Sequence, residues 1–264
     1  MANTEFLSFA LELAAAAASE IVPRFQACDI KRKDDGSVVT DADCAAEREI
    51  CRRIRARFPS HGIIGEEEGV STWREHWQWV VDPIDGTMSY SLGVAKFGTL
   101  IALLEAKKPI LGVVHLPMTR ESLYAETGHG CWYARNGKAA QQVWVDTEAE
   151  NICDARISLS GVDDSELRGK TARWRLSGLL NRAHEVEFIG DCVQYTLVAR
   201  GHVHAALDSR MYPWDSAAVV PCILEAGGVV STLDGRYDEV TFGGSLLASG
   251  NRRLHEEILN LING

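Results

Sequence analysis

The chain has 264 residues, with 27 Lys and Arg against 37 Asp and Glu, and its formal net charge is −10. This acidic balance, without a basic stripe interleaved with aromatic residues, argues against a nucleic-acid partner. Seven scattered cysteines, without a CxxC pair or a zinc-finger spacing, are typical of reduced thiols in a cytoplasmic protein. The length suits one large domain or two apposed lobes.

The first elements along the chain are two predicted helices. Residues 4–22 are rich in Ala and Leu, with Pro23 near the end of the segment. Because its apolar part, Phe6 to Ala18, lacks a basic leader and is too short and too Ala-rich to span a bilayer, we expect a soluble helix and no membrane partner. After a polar stretch, apolar residues at helical spacing predict a second helix to about Phe58, with Thr40 or Asp41 as its N-cap.

Short apolar runs separated by Gly and Pro then predict a meander of antiparallel strands. These runs are Trp77–Val81, Gly98–Leu104, Ile110–Leu116, Ser122–Glu126 and Cys131–Ala134. After a polar connection, predicted strands alternate with predicted helices, which favours an α/β arrangement. The strands are Arg156–Leu159, Glu185–Ile189 and Val203–Leu207, and the helices are Arg173–Arg182, Val193–Arg200, Ser216–Ala226 and Arg252–Leu261. We therefore expect an N-terminal α+β lobe over residues 1–145 and a C-terminal α/β lobe over residues 146–264.

The most informative motif is Asp-Pro-Ile-Asp-Gly-Thr at residues 82–87, directly after an apolar run. A strand that ends with two carboxylates, Asp82 and Asp85, on a proline-stiffened turn closed by Gly86 is suited to bind divalent cations. Hard oxygen ligands select Mg²⁺ or Mn²⁺ over zinc. The motif indicates metal-assisted chemistry, and bound cations would reconcile an acidic chain with a phosphate-bearing substrate.

Metal binding needs more oxygen ligands than this turn supplies, and three other acidic motifs are candidates. Gly-Glu-Glu-Glu-Gly at residues 65–69 follows a short apolar run, and antiparallel strands would bring it to the same edge as Asp82. Asp215 opens an apolar helix, and Asp41 or Asp43 opens the second helix. Taken alone, the acidic triplet could be a solvated turn and the aspartates could be helix caps.

The motifs occur together in one order, as VTDAD (39–43), GEE (65–67), DPIDGT (82–87), WDSAA (214–218) and EAGG (225–228). This set resembles the signature of the inositol monophosphatase superfamily of magnesium-dependent, lithium-sensitive phosphatases, and the match runs through nearly the whole chain. The resemblance implies a layered αβαβα sandwich of the inositol monophosphatase and fructose-1,6-bisphosphatase type. It also implies two or three Mg²⁺ ions per active site, with Mn²⁺ as an alternative, inhibition by Li⁺ and a homodimer.

The resemblance also implies a set of metal ligands. Glu66, Asp82 and the backbone carbonyl of Ile84 would bind a first ion. Asp82 would bridge to a second ion, which Asp85 and Asp215 would also bind. Glu66 would serve catalysis as well, beside a third, weaker ion and water.

Further roles carry over to the residues around the attacking water and the phosphate. Thr87 would pair with Asp43 to orient and deprotonate the water. The backbone amides of Gly86 and Thr87, at the start of a short helix, would meet the phosphate oxygens. Metal ions would lower the pKa of the water and neutralise the phosphate, so that in-line attack needs no covalent enzyme intermediate.

Subfamily detail bears on the substrate, because related enzymes act on inositol phosphates, histidinol phosphate, fructose bisphosphate or phosphoadenosine phosphate. Residues 61–67, 97–103 and 190–200 look most similar to the histidinol-phosphate phosphatase branch. In that branch two acids face the substrate, and the matching residues are Asp191 and Asp208, which would suit a cationic leaving group. A helix cap and a solvated strand end are the other interpretations of these two residues.

We therefore predict a Mg²⁺-dependent phosphomonoester hydrolase of histidine biosynthesis, which converts histidinol phosphate and water to histidinol and phosphate. An inositol-1-phosphate or broad sugar-phosphate monophosphatase is the enzyme alternative, and Met88, which departs from the family pattern beside the phosphate site, puts substrate preference in question. The alternative of another class is a non-catalytic, metal-binding regulatory relative. It is disfavoured because every matched ligand is present, and Thr87 with them.

Overall fold

The computed structural model describes residues 4–34, 36–72, 76–161 and 173–264, with only the backbone described at 70–72. Within these ranges the helices are α1 (Glu5–Ile21), α2 (Asp41–Arg57), α3 (Thr87–Ser91), α4 (Ser177–Arg182), α5 (Asp191–Ala199), α6 (Pro213–Ser216), α7 (Val219–Glu225) and α8 (Arg252–Asn263). The strands are β1 (Ile30–Arg32), β2 (Val38–Thr40), β3 (Gly62–Gly65), β4 (Val70–Thr72), β5 (Trp77–Asp85), β6 (Gly98–Glu105), β7 (Lys108–Leu116), β8 (Glu121–Glu126), β9 (Cys131–Arg135), β10 (Gln141–Val143), β11 (Arg156–Leu159), β12 (Glu185–Glu187), β13 (Ala205–Asp208), β14 (Val229–Ser231) and β15 (Leu246–Ser249).

Two large sheets alternate with helices. One sheet has the strand order β10-β9-β8-β7-β6-β5-β3-β4, and the other has the order β12-β11-β13-β15-β14. Helices α1 and α2 cover one face of the first sheet, α5 and α7 lie between the sheets, and α4 and α8 cover the outer face of the second sheet. The layered αβαβα sandwich expected from the sequence is therefore confirmed.

Alternation along the central strands builds the two cores on either side of the first sheet. On β6, Leu100 and Ala102 belong to the core beneath α5 and α7, whereas Ile101 and Leu103 belong to the core beneath α1 and α2. All four side chains are buried, as expected for a strand covered on both faces. Burying a Leu or Ile side chain contributes about 1.5–3 kcal/mol relative to exposure, so this shared sheet stabilises both layers.

The predicted antiparallel meander is present from β5 to β9, and β10, which was not predicted, extends it by one strand. Strand β3, however, pairs with β5 in parallel, so the antiparallel relation expected between residues 65–69 and the Asp82 turn is wrong. Two parallel neighbours end at the same edge of a sheet, whereas an antiparallel pair would end at opposite edges. The acidic motifs therefore converge, although not for the reason the sequence suggested.

The second half of the chain departs from its prediction in short elements. The helix expected from Arg173 begins at Ser177. The helix expected over residues 216–226 is two short helices, α6 and α7. The parallel strands β11, β12 and β13 are joined by β15, which pairs antiparallel with both β13 and β14. Neither β14 nor β15 was predicted. Strands of three or four residues are too short to show a hydrophobic period.

The length of helix α1 bears on the expectation that this segment cannot span a membrane. The segment Glu5–Arg24 spans 20 residues at a hydropathy of 1.5, enough by length and composition to cross a membrane, so the expectation that it is too short is wrong. In the fold, one face of α1 is buried in the core against α2 and the first sheet, with Leu7, Leu13 and Ile21 among its buried residues. An Ala-rich core helix has the same composition as a membrane span, and its packing identifies α1 as a core helix.

Candidate active site

The Asp82 turn lies where β5 leaves the sheet. The pairing of β5 with β6 shifts register between Asp82 and Asp85, and Gly86 then adopts a φ of 88° as the N-cap of α3. A Cβ at Gly86 would lie 2.9 Å from the carbonyl oxygen of Lys96. Both the backbone conformation and the close approach therefore require glycine at this position.

Three aspartates form the centre of the site. Asp82, Asp85 and Asp215 each offer a carboxylate oxygen, and these oxygens lie within 4.8 Å of one another. Asp82 is 1% exposed, and its Oδ1 has no hydrogen-bond partner among the described residues. Burial, reinforced by neighbouring carboxylates, raises the pKa of Asp82 and Asp85, and raises the pKa of Asp215 to about 7.

This arrangement fits a divalent cation. Like charges held this close, with a buried oxygen left unpaired, are costly unless a positive ion neutralises them. All the donors are hard oxygen atoms, which suits Mg²⁺ or Mn²⁺. The fold therefore brings Asp215, which is distant in sequence, to the predicted ligands Asp82 and Asp85.

Backbone groups orient two of these aspartates. Asp85 accepts a short hydrogen bond from the backbone N–H of Cys192 at the start of α5. Asp215 accepts one from the backbone N–H of Tyr212, at 2.7 Å, as part of a capping box on α6. The cap interpretation of Asp215 and its interpretation as a ligand are therefore compatible.

Glu66 reaches the same edge but lies outside the group of three aspartates. Its backbone N–H donates to the carbonyl of Val81 at 3.2 Å, and its charge is one reason that the pKa of Asp82 is raised. The Nζ atom of Lys33 lies 3.0 Å from Glu66 and 2.7 Å from Glu67. No sequence signal singled out Lys33, because one lysine in a polar loop has no pattern.

Asp43 and Thr87 meet as predicted. Asp43 Oδ1 lies 3.4 Å from the Thr87 hydroxyl, which donates to the carbonyl of Ile84 at the shorter distance of 2.8 Å. Asp43 Oδ2 accepts from the backbone N–H and the hydroxyl of Thr40, the N-cap of α2. Burial raises the pKa of Asp43 to about 7, a value suited to holding or releasing a proton near neutral pH.

A cavity of about 140 Å³ opens beside the aspartates, and both predicted substrate-facing acids, Asp191 and Asp208, line it. The side chain of Asp191 does not cap α5, whose N-cap is Gly190; it pairs with Lys96 at 3.0 Å. Asp208 is half-buried and accepts a short hydrogen bond from Ser160. A cation bound in this cavity would therefore share Asp191 with Lys96 and Asp208 with Ser160.

Two basic residues of this region, Lys96 and Arg210, were not found by sequence reasoning. Lys96 pairs with Asp191 across nearly a hundred residues of chain, and Arg210 lines the cavity a few residues before Asp215. Met88, which departs from the family pattern, is 52% exposed on α3. No local sequence pattern marks Lys96 or Arg210, because their place near the site depends on which loops meet in the fold.

Comparison with known proteins identifies the family to which the chain belongs. The profile of the inositol monophosphatase family matches residues 2–264. The chain belongs to the inositol monophosphatase family, and the expectation of a phosphomonoester hydrolase is confirmed.

Similar proteins agree in length and fold. A histidinol-phosphatase of Mycobacterium tuberculosis is 37% identical over 259 residues, which cover 97% of each chain. A histidinol-phosphatase of Streptomyces coelicolor is 36% identical over 266 residues, covering 97% of this chain and 96% of that protein. Among solved structures, an IMPase of Thermotoga maritima has a TM-score of 0.84 at 28% identity, covering 98% of this chain and 96% of that one.

Proposed function

We propose that this protein is a Mg²⁺-dependent histidinol-phosphate phosphatase, which hydrolyses histidinol phosphate to histidinol and phosphate. The observation that carries the chemistry is the cluster of Asp82, Asp85 and Asp215, in which Asp82 is buried with one carboxylate oxygen left unpaired. The substrate is supported by the 37% identity to a histidinol-phosphatase along the whole chain. The acids that line the cavity, Asp191 and Asp208, support it further.

The residues of the site would have separate roles in metal binding, water activation and phosphate binding. Glu66, Asp82, Asp85, Asp215 and the carbonyl of Ile84 would hold the ions, whose charge would activate water and stabilise the leaving oxygen. Thr87 would orient the attacking water, and Asp43 would accept its proton through the Thr87 hydroxyl. The N–H groups of Gly86 and Thr87, at the start of α3, would bind the phosphate.

The leaving group would bind on the α5 side of the cavity. An ammonium group that approaches Asp191 would share that carboxylate with Lys96, and Asp208 would offer a second acceptor. The proposal includes a cytoplasmic homodimer of two-lobed chains, split near residue 145, and inhibition by Li⁺. The seven cysteines, none in a disulfide, support a reducing compartment.

The test compares kcat/KM for histidinol phosphate, inositol 1-phosphate and phosphoadenosine phosphate in the presence of Mg²⁺. We expect a preference for histidinol phosphate of about a hundredfold or more, roughly 3 kcal/mol in transition-state binding. A flat profile or an inositol preference would overturn the substrate and leave the phosphatase class. Absence of turnover on every ester would favour the non-catalytic alternative.

A matched pair of variants tests the metal cluster in the same assay. Asp82→Asn removes one carboxylate charge at almost constant volume and should abolish Mg²⁺-dependent phosphate release. Asp238→Asn makes the same change at an exposed position and should retain wild-type rates. Full activity of Asp82→Asn would refute the assignment of the metal ligands.

A further inference from the structure

Helix α2 presents a second buried acid toward the site, one turn beyond Asp43. This acid is Glu47, which is 0% exposed. Residues four apart lie on the same face of a helix, so Asp43 and Glu47 project in the same direction. Asp43 meets Thr87, whereas Glu47 meets the 65–69 loop, the segment that carries Glu66.

Both carboxylate oxygens of Glu47 accept hydrogen bonds from the backbone of that loop. Oε2 accepts from the N–H of Glu67 at 2.9 Å, and Oε1 accepts from the N–H of Glu68 at 2.8 Å. Loss of this carboxylate would leave both N–H groups without their acceptor. Glu47 is therefore a strong and specific anchor for the loop.

The opposite side of the loop is tied to β5 and to itself. The N–H of Glu66 donates to the carbonyl of Val81, the residue before Asp82, and the N–H of Gly65 donates to the carbonyl of Gly69. Glu66 thus stands between a backbone bond to β5 and the two bonds that Glu47 accepts. Moving Glu47 would remove the hydrogen bonds that hold the loop on one side of Glu66, the residue that is proposed to bind a metal ion.

Gly65 shows how closely the carboxylate approaches the loop. A Cβ at Gly65 would lie 2.0 Å from Glu47 Oε1, so any other residue here would displace this carboxylate. The φ angle of Gly65 is not positive, so contact with Glu47, rather than backbone conformation, demands glycine here. Glu47 and Gly65 therefore form one structural unit across 18 residues of sequence.

We propose that Glu47 is a positioning residue for the metal centre, which sets the 65–69 loop, and with it Glu66, against the carboxyl ends of β3 and β5. It acts through the loop backbone and touches neither substrate nor ion. The inference rests on the proposed function in one respect, the role of Glu66 as a ligand. Partners that orient metal ligands typically change metal affinity by about 10–100-fold when they are mutated.

The test uses Glu47→Gln, which preserves size but replaces one acceptor oxygen with an amide donor that faces a backbone N–H. Glu49→Gln is the matched control, because Glu49 lies on the same helix and pairs with Arg52 and Arg53. Mg²⁺ binding is measured by calorimetry without substrate. Amide hydrogen exchange of residues 67 and 68 is measured without Mg²⁺.

We expect Glu47→Gln to raise the Kd for Mg²⁺ at least about tenfold and to speed exchange at both amides, while Glu49→Gln behaves as wild type. Wild-type Kd and wild-type exchange in a folded Glu47→Gln protein would overturn the proposal. If Glu47→Gln does not fold, Gly65→Ala displaces the same carboxylate by contact, and wild-type behaviour there would be equally decisive.

Asp82→Asn separates this inference from the proposed function. If Asp82→Asn binds Mg²⁺ as tightly as wild type, the metal centre itself is misassigned, and the positioning role fails with it whatever the exchange rates show. If Asp82→Asn loses Mg²⁺ and Glu47→Gln does not, the centre stands and only the role of Glu47 is refuted.

Discussion

Thr87 makes two contacts that compete for one hydroxyl proton. Its hydroxyl donates to the carbonyl of Ile84 at 2.8 Å and lies 3.4 Å from Asp43. A proton can follow only one of these directions at a time, and the shorter contact holds it in the present geometry. Catalysis through Asp43 therefore requires the hydroxyl to turn, a rotation that a Thr or Ser side chain can make.

Replacing Thr87 by Ala should lower kcat by about 10²–10⁴-fold, the range for loss of a group that moves a proton, with little change in KM. Thr87→Ser keeps the hydroxyl and should retain most of the rate. Steady-state kinetics at saturating Mg²⁺ distinguish a role of Thr87 in moving the proton from a role in substrate binding. A raised KM with kcat intact would instead assign Thr87 to substrate binding.

His255 is a buried residue whose role is in stability. Its two ring nitrogens lie 2.7 Å from the Ser231 hydroxyl and 2.8 Å from the Ser249 hydroxyl. Burial, with a smaller contribution from the charge of Arg252, lowers the pKa of His255 from 6.5 to about 3. The ring is therefore neutral in the folded protein throughout the neutral range.

This pKa predicts the direction of a pH effect on stability. Below pH 6.5 the unfolded chain binds a proton at His255 that the folded chain does not, so the free energy of unfolding falls as pH falls toward 3. The slope from this residue is about 1.4 kcal/mol per pH unit. Denaturant unfolding between pH 7 and 4 should show a shallower slope for His255→Gln than for wild type or for His129→Gln, which changes an exposed histidine. Parallel slopes in all three proteins would contradict the assignment.

At the scale of elements, β7 and α7 cross at a point of close backbone contact. A Cβ at Gly112 on β7 would lie 2.0 Å from the carbonyl oxygen of Ala218, the N-cap of α7. Glu225, at the other end of α7, accepts hydrogen bonds from the N–H groups of Gly128 and Gly130 beyond β8. Helix α7 is thus held to the first sheet at both ends.

Gly112→Ala should push α7 away from the sheet, because the blocking atom belongs to the backbone and cannot rotate away. Overpacking of this kind costs about 1–3 kcal/mol, and each kcal/mol lowers Tm by roughly 2–4 °C for a chain of this size. Gly161→Ala is the control, since nothing lies within 4 Å of its Cβ position. Thermal unfolding checks both variants, and equal Tm values would show that α7 moves without cost.

At the scale of the whole molecule, the net charge of −10 is distributed unevenly. The ends of β3 and β5 and the starts of α2, α3 and α6 converge on one acidic centre, and its carboxylates raise one another's pKa. Without a cation, such a centre opposes folding. The carboxylates that enable the site to bind metal are thus expected to lower the stability of the metal-free protein.

Mg²⁺ should therefore stabilise the whole fold, by about 2.7 kcal/mol at a concentration one hundred times its Kd. Asp215→Asn should lose this gain in Tm, and without Mg²⁺ it should be at least as stable as wild type because one repelled charge is gone. Differential scanning calorimetry at constant ionic strength measures both effects. A metal-free Asp215→Asn protein that melts well below wild type would show that its cap on α6 outweighs the repulsion.

The acids predicted to converge were indicated by the resemblance of their motifs to a known family. The sequence by itself determined the elements with long periodic patterns, an N-cap of α2 at Thr40 or Asp41, and the meander from β5 to β9. These features depend on neighbours a few residues away, so local periodicity and turn chemistry specify them. Tertiary structure alone decided that β3 runs parallel to β5, that Lys96 meets Asp191, and that Glu47 anchors the loop of Glu66. Such contacts follow from strand order and layer packing, which join residues far apart in the chain and leave no local pattern to read.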